Sequence, residues 1–321
     1  MNASSSDDED LYENEDSSSD KKPKEDISEA EFLINIMDRH KDWATIICLV
    51  GGGQEINTGE SQGIYGWLNA IKKKFPYWDV YVSNRISDEE YSKGNDIDTI
   101  IKDLNCNIDK DLHLSVPLRS FRSEKVAAFV KALLDVDKEN AKKLYKEFRD
   151  KYPICITRDI ESAKEWIKEK ALGTQRYGLI ASSGAKRLRK YAIWVDNKIK
   201  ATNWFLNDED DVRSSYFLEE TATEFDIQGL ELDWSIVAWD ADFRFINDKF
   251  ELKKFKGTKW QDVNSEENAL YLKNAYRVLL TRARQGMVIF VPKGDENDQT
   301  MKPEFYDGTY KYLKELGLEE I

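Results

Sequence analysis

From residue 28 onward, runs of adjacent apolar residues alternate with stretches whose apolar residues recur every three or four positions. The first pattern belongs to strands covered on both faces, the second to helices with one apolar stripe. Ser28 and Glu31 have the spacing of a capping box, which predicts a helix over 29–40. Residues 43–50 (WATIICLV) are almost wholly apolar and end in Gly51-Gly52-Gly53, which predicts a buried parallel strand before a tight loop. The same reasoning predicts helices over 64–75, 123–134, 160–171 (capped by Asp159) and 268–284. It places strands over 78–82, 154–157, 177–182, 235–239 and 287–291. Residues 195–218 and 241–264 are polar, aromatic-studded and weakly periodic, and read as long loops or insertions. Strands alternating with helices predict an α/β domain with a largely parallel sheet, whose ligands gather at the carboxyl ends of the strands.

Composition changes this picture at one end. Residues 1–30 carry eleven acids and three lysines, a charge of −8, so the other 291 residues hold only −5 of the net −13. A stretch so poor in large apolar residues cannot offset its ordering entropy, and residues 1–28 read as a disordered acidic tail. The nearly balanced body leaves room for a local basic groove. No apolar run approaches the ~20 residues of a membrane span, and the acidic start is the opposite of a signal peptide, so a cytoplasmic protein is expected. Cys48, Cys106 and Cys155 are too far apart for a C-x-x-C knuckle, and two histidines, His40 and His113, argue against zinc or Ser-His-Asp chemistry.

Candidate chemistry comes from four segments. The glycine loop after Val50 is not a P-loop, because Gly59-Glu60-Ser61 puts a carboxylate where the phosphate-binding lysine belongs, and no Gly-Lys-Ser or Gly-Lys-Thr occurs in the chain. The loop leaves Gln54 either facing a phosphate or water, or in an ordinary strand-to-helix turn. Residues 223–231 (TEFDIQGLE) and 276–284 (YRVLLTRAR) each precede an apolar strand. A glycine beside a carboxylate suits close approach to a ligand hydroxyl, and paired arginines suit a phosphate, although Arg282 and Arg284 equally suit a helix C-terminus. Residues 182–190 (SSGAKRLRK) place Lys186, Arg187, Arg189 and Lys190 around a strand-to-helix turn, either as a grip on a phosphate backbone or as a solvated face. Tyr191, Trp194 and Trp204 nearby are either base-stacking platforms or core. Asp240 and Asp242 resemble a strand-end magnesium pair but lack a P-loop to complete, so an ordinary strand-end role is expected, and no metal site is assigned.

Taken in order, Ile46–Gln54, residues 113–122 (HLSVPLRSFR), residues 223–231 and residues 279–284 resemble motifs III, IV, V and VI of superfamily 1 helicases. The chain is similar to the Schlafen group 3-like DNA/RNA helicase domain family from about Ile46 to its end, with residues 51–60 (GGGQEINTGE) and 214–220 (SSYFLEE) characteristic. The resemblance implies a RecA-like fold of the P-loop NTPase class, with ATP and Mg2+ as cofactors and single-stranded DNA or RNA as partner. It implies that Gln54 senses the γ-phosphate, that Arg119 (or Arg122) and Arg282 act as arginine fingers, and that Glu231 and Gly229, with Arg284, line the nucleotide. Such cations would meet the charge on a transferring phosphoryl group.

Residues 29–75 would then be a remnant of a first RecA-like domain carrying motif III, and residues 76–321 a second one carrying motifs IV to VI. The Walker A and Walker B half is missing from this reading, so no ATPase activity is expected of the chain alone; a separate chain would supply that half and the Mg2+ ligands. The competing expectation is a non-enzymatic interaction module whose acidic tail mimics a nucleic acid.

Overall fold

The computed structural model describes residues 28–50, 63–92, 95–113 and 121–321 of the protein. The expected acidic tail and the glycine loop 51–62 lie outside the described residues. In chain order the elements are α1 (Glu29–Met37), α2 (Gly63–Lys74), β1 (Val80–Ser83), α3 (Glu89–Ser92), α4 (Ile97–Lys102) and β2 (Cys106–Asp109). They continue with α5 (Phe121–Leu134), α6 (Lys138–Phe148), β3 (Ile154–Thr157), α7 (Ile160–Lys170), β4 (Tyr177–Ala181), α8 (Ala201–Leu206), β5 (Thr221–Ala222) and β6 (Leu232–Ala238). Last come β7 (Phe243–Ile246), β8 (Lys249–Lys256), β9 (Lys259–Asp262), α9 (Glu266–Leu280), β10 (Ala283–Phe290), α10 (Glu304–Glu315) and β11 (Glu319–Glu320).

The first six elements gather around a two-stranded parallel sheet, β1–β2. Ser28 caps α1 as its spacing predicts, its hydroxyl accepting from the Glu31 N–H at 3.2 Å. Leu68 of α2 shares a core with Val80, Val82, Ile97, Ile100 and Ile101, so the boundary expected between residues 75 and 76 falls inside one cluster. The strand expected over 43–50 does not form. Trp43, Ile47 and Leu49 are 79, 83 and 81% exposed, and Ile46 packs against the small core of Ala30, Ile34, Ala70 and Phe75. Hydrophobicity alone does not make a strand; a neighbouring ladder must take its N–H and C=O groups, and among the described residues none lies beside it.

The remaining elements form a mixed α/β body around a six-stranded sheet in the order β11-β3-β10-β6-β4-β5, every pair parallel. Alternate residues of each strand serve opposite faces. Met287 and Ile289 of β10 join Ile154, Ile156, Ile180 and Val237 beneath α5, α6, α9 and α10. Val288 and Phe290 join Leu179, Ala181, Ile236 and Ala238 beneath α7. Each fully buried aliphatic side chain contributes roughly 2 kcal/mol. Residues 241–264 are not loop: β7, β8 and β9 form an antiparallel sheet. The stretch 195–218 includes the short helix α8. No helix among the described residues is long and apolar enough to cross a membrane.

Candidate functional site

Two strand entrances meet at the amino edge of the large sheet. Residues 223–231 reach β6 through consecutive turns, which begin where the Thr223 N–H and hydroxyl both donate to Asp226 Oδ2, at 2.8 and 2.7 Å. The Leu230 N–H then donates to the Ile227 carbonyl at 3.0 Å. Between them Gly229 sits at φ +85°, where a Cβ would meet nothing within 4 Å, so backbone conformation and not space selects glycine. Gly229→Ala should therefore cost about 1 kcal/mol, seen as a lower urea midpoint at unchanged slope; an unshifted midpoint would show that the turn relaxes freely.

On the neighbouring strand α9 stops at Leu280, short of the predicted 284, because the Thr281 hydroxyl donates back to the Arg277 carbonyl at 2.8 Å and the next residues pair with β6. Ala283 lies opposite Leu232, and the Leu232 N–H donates to the Arg282 carbonyl at 3.0 Å. The Arg282 side chain is 1% exposed. Its Nε donates to the Val278 carbonyl at 3.2 Å and its Nη1 to the Leu230 carbonyl at 3.5 Å, so it ties the end of α9 to the turn that carries Glu231. Arg284 is exposed, and its Nη2 donates to Asp233 Oδ1 at 3.1 Å, while the Arg176 N–H donates to the other oxygen at 2.8 Å. The fold thus brings Gly229, Glu231, Arg282 and Arg284 to one edge. Gln54 and Arg119 lie outside the described residues, as does the side chain of Arg122 in the first turn of α5. The motif residues stand at the amino ends of β6 and β10, opposite to the carboxyl-end rule.

The carboxyl ends of β4, β5 and β6 hold three buried acids, Glu224, Asp240 and Asp242. Glu224 accepts from the Ser183 N–H and hydroxyl at 2.8 and 2.7 Å. Asp240 accepts from the Ala241 and Arg187 N–H groups and the Tyr306 hydroxyl. Asp242 accepts from Ser182 at 2.7 Å and Tyr276 at 2.6 Å. Burial raises all three acids above the usual carboxylate range, Asp242 to about 7 with the Asp240 charge adding to it. Every oxygen of Asp240 and Asp242 has a protein donor. Among the described residues no group of three or more His, Cys, Asp or Glu side chains is arranged to hold a metal.

Beyond β4 each of the four cations of the basic segment has a carboxylate partner, three acids in all. Lys186 and Arg189 both pair with Asp196, Lys190 with Asp295, and Arg187 with Asp298 at 2.8 Å. The Lys186 ammonium holds Asp196 below the ordinary carboxylate range, and Lys190 does the same for Asp295. Trp204 is core, its Nε1 donating to the Glu220 carbonyl at 3.1 Å. Tyr191 meets Phe290 edge-on, and the Arg189 guanidinium covers Trp194 at 5.0 Å. Sequence reasoning missed Asp233, Glu224, Asp295 and Asp298, whose partners are distant in sequence, and Asp196, which lies seven and ten residues from its own. It also missed the lysines of β8 and β9, whose signal was the alternation of Lys249–Lys256, broken once at Lys253-Lys254, followed by a glycine turn.

A family model described as Schlafen group 3, DNA/RNA helicase domain, matches residues 13–293. No curated protein and no solved structure matches the chain.

Proposed function

The chain belongs to the Schlafen group 3 DNA/RNA helicase domain family, and on that premise we propose that residues 121–321 act as the second, RecA-like half of a superfamily 1-type motor that moves along single-stranded nucleic acid. The observation that carries the proposal is the meeting of Gly229–Glu231 with Arg282–Arg284 at one sheet edge, through the Leu232 to Arg282 hydrogen bond. Two cations and a carboxylate there suit a nucleotide: the exposed Arg284 for phosphate oxygens, Glu231 for a sugar hydroxyl, and Arg282 for a phosphate once closure turns it out from the Val278 and Leu230 carbonyls.

Bound ATP would supply the transferable phosphoryl group whose developing charge needs such cations. This chain's part is to hold Arg282 against the Glu231 turn, pre-positioned by two backbone carbonyls, and to bring that edge toward a first half on closure. The 321 residues contain no Gly-Lys-Ser or Gly-Lys-Thr, and among the described residues no three or more His, Cys, Asp or Glu side chains gather into a metal-binding group. On this reading a separate chain supplies the phosphate-binding lysine and the Mg2+ ligands. The exposed Trp43, Ile47 and Leu49 support this reading, since they are apolar surface that the sheet of such a half would cover.

ATP hydrolysis by the purified chain, with and without single-stranded DNA and RNA, tests the proposal. No turnover above background is expected. Turnover that disappears in Arg282→Ala, with an intact circular-dichroism melt, would show a complete nucleotide site within this chain and overturn the half-motor reading. Recombined with a polypeptide carrying the Walker A half, the chain should support turnover, and Arg282→Ala should lower it by about 10³-fold.

A further inference from the structure

The four cations that the sequence nominates for nucleic acid are held by Asp196, Asp295 and Asp298, while in a second basic element only some of the lysines have such partners. Residues 249–260 contain five lysines and one acid, Glu251. Lys253 pairs with Asp262 at 2.6 Å and with Glu251 at 3.1 Å. Lys254, Lys256 and Lys259 are exposed, and among the described residues none has a carboxylate within ion-pair reach.

The register puts these three lysines on one face. Lys254 stands opposite Gln261, and Lys256 opposite Lys259, on either side of the two-residue turn Gly257-Thr258. Gly257, at φ +63°, supplies the left-handed first turn position that such tight hairpins require. Phe255 and Trp260 point to the other face, ring edge to ring at 5.1 Å. There the Arg187 guanidinium lies 5.2 Å from the Phe255 ring and the Arg244 guanidinium 5.2 Å from the Trp260 ring, while Trp260 Nε1 donates to the Thr300 carbonyl at 2.8 Å. The hairpin is pinned to the body by its aromatic underside and presents lysines outward on a rigid ladder.

Like charges directly opposite on paired strands are destabilising. The Lys256/Lys259 pair is therefore a local cost to folding that a polyanion would remove. Beyond Phe250 and Leu252, which pack against the core, the hairpin end of this face exposes Lys254, Lys256, Lys259 and Gln261 and no apolar side chain, which fits a phosphate backbone and not the apolar core of a protein interface. We propose that the β8–β9 hairpin is a nucleic-acid contact: its three lysines grip the phosphate backbone of the single strand on which the motor acts. The proposal rests on the helicase reading above and adds to it the element that holds the strand.

The test is fluorescence-anisotropy titration of the full chain against labelled single-stranded DNA and RNA oligonucleotides over a salt series. The variant is Lys254→Gln/Lys256→Gln/Lys259→Gln, whose exposed substitutions leave the fold intact by thermal melt. The expected result is binding at low salt that weakens about tenfold or more in the triple variant, with the slope of log affinity against log salt falling by about 2, the share of three phosphate contacts on a single strand. Unchanged affinity and slope in the triple variant would overturn the hairpin proposal and leave the helicase reading standing. A wild-type chain that binds neither oligonucleotide at low salt would overturn both. Displacement of the oligonucleotide by poly-glutamate at equal charge concentration would overturn nucleic acid as the occupant in favour of an acidic protein.

Discussion

Replacing Gly308 with alanine should destabilise the protein by about 4 kcal/mol, a large share of the 5–15 kcal/mol that holds a typical domain together. Gly308 lies in α10 where the helix crosses β7, and a Cβ built on it falls far inside contact of the Phe245 carbonyl oxygen, with the carbonyl carbon at 3.1 Å. Backbone, unlike the end of a flexible side chain, cannot turn aside. Nor can the helix retreat cheaply: the Phe245 N–H donates to the Thr309 hydroxyl at 2.9 Å, and the Phe245 ring stacks on Tyr312 with centroids 4.2 Å apart. Helix propensity predicts the opposite sign, since alanine in a helix interior is favoured over glycine by about 1 kcal/mol. Urea unfolding of Gly308→Ala decides between the two effects. A midpoint at or above that of the wild type would mean that α10 and β7 are not in backbone contact. The consequence reaches function, because β7 is the strand from which the lysine hairpin springs.

How much of this was legible in the sequence depends on whether a signal is local. Residues 154–157 and 177–181 are buried throughout, and their unbroken apolar runs identify them without help. Residues 43–50 carry the same signature and form no strand, because a parallel strand exists only where a partner ladder meets it, and that partner is not encoded nearby. α6 was invisible for the opposite reason: Ala141, Tyr145 and Phe148 make its buried stripe, diluted by lysines and acids on the exposed face. The hairpin hides likewise, since lysine alternating with phenylalanine reads as noise until a glycine turn folds one half onto the other.

The site divides in the same way. That residues 223–231 and 276–284 each precede an apolar strand was legible; that the two strands lie side by side was not, because β7, β8, β9 and α9 separate them in sequence. That Arg282 would be buried against the Val278 and Leu230 carbonyls was not legible either, because its accepting groups are backbone and carry no residue signature. The basic segment 186–190 was legible as charge, but its neutralisation by Asp295 and Asp298 spans more than a hundred residues of chain.

Stability should fall as pH rises from about 5 to 8, and Asp242→Asn should remove most of that slope. Asp242 is fully buried at the carboxyl end of β6, facing Asp240 from its own segment, Glu224 from the end of β5, Ser182 from the end of β4 and Tyr276 from α9. Arg244 on β7 and Arg187 are the nearby cations. Burial first, and the Asp240 charge second, raise its carboxyl to about 7 against an ordinary 3.8, outweighing the hydroxyls of Tyr276 and Ser182 that favour the charged form. The folded protein therefore keeps a proton that the unfolded chain has released. An acid raised on folding contributes fully below its unfolded pKa and loses that contribution as pH climbs through the folded one, here at about 1.4 kcal/mol per pH unit. Over the window the loss is on the order of 3 kcal/mol, and Asp240, raised in the same direction by its own burial, adds to it. Carboxylates lowered by exposed partners, such as Asp196 and Asp295, titrate below this window and do not confuse it. An asparagine keeps the shape and an acceptor for Tyr276 while removing the charge. Urea midpoints at pH 5, 6, 7 and 8 should thus decline in the wild type and stay nearly level in Asp242→Asn. Parallel declines in the two proteins would remove Asp242 as their source.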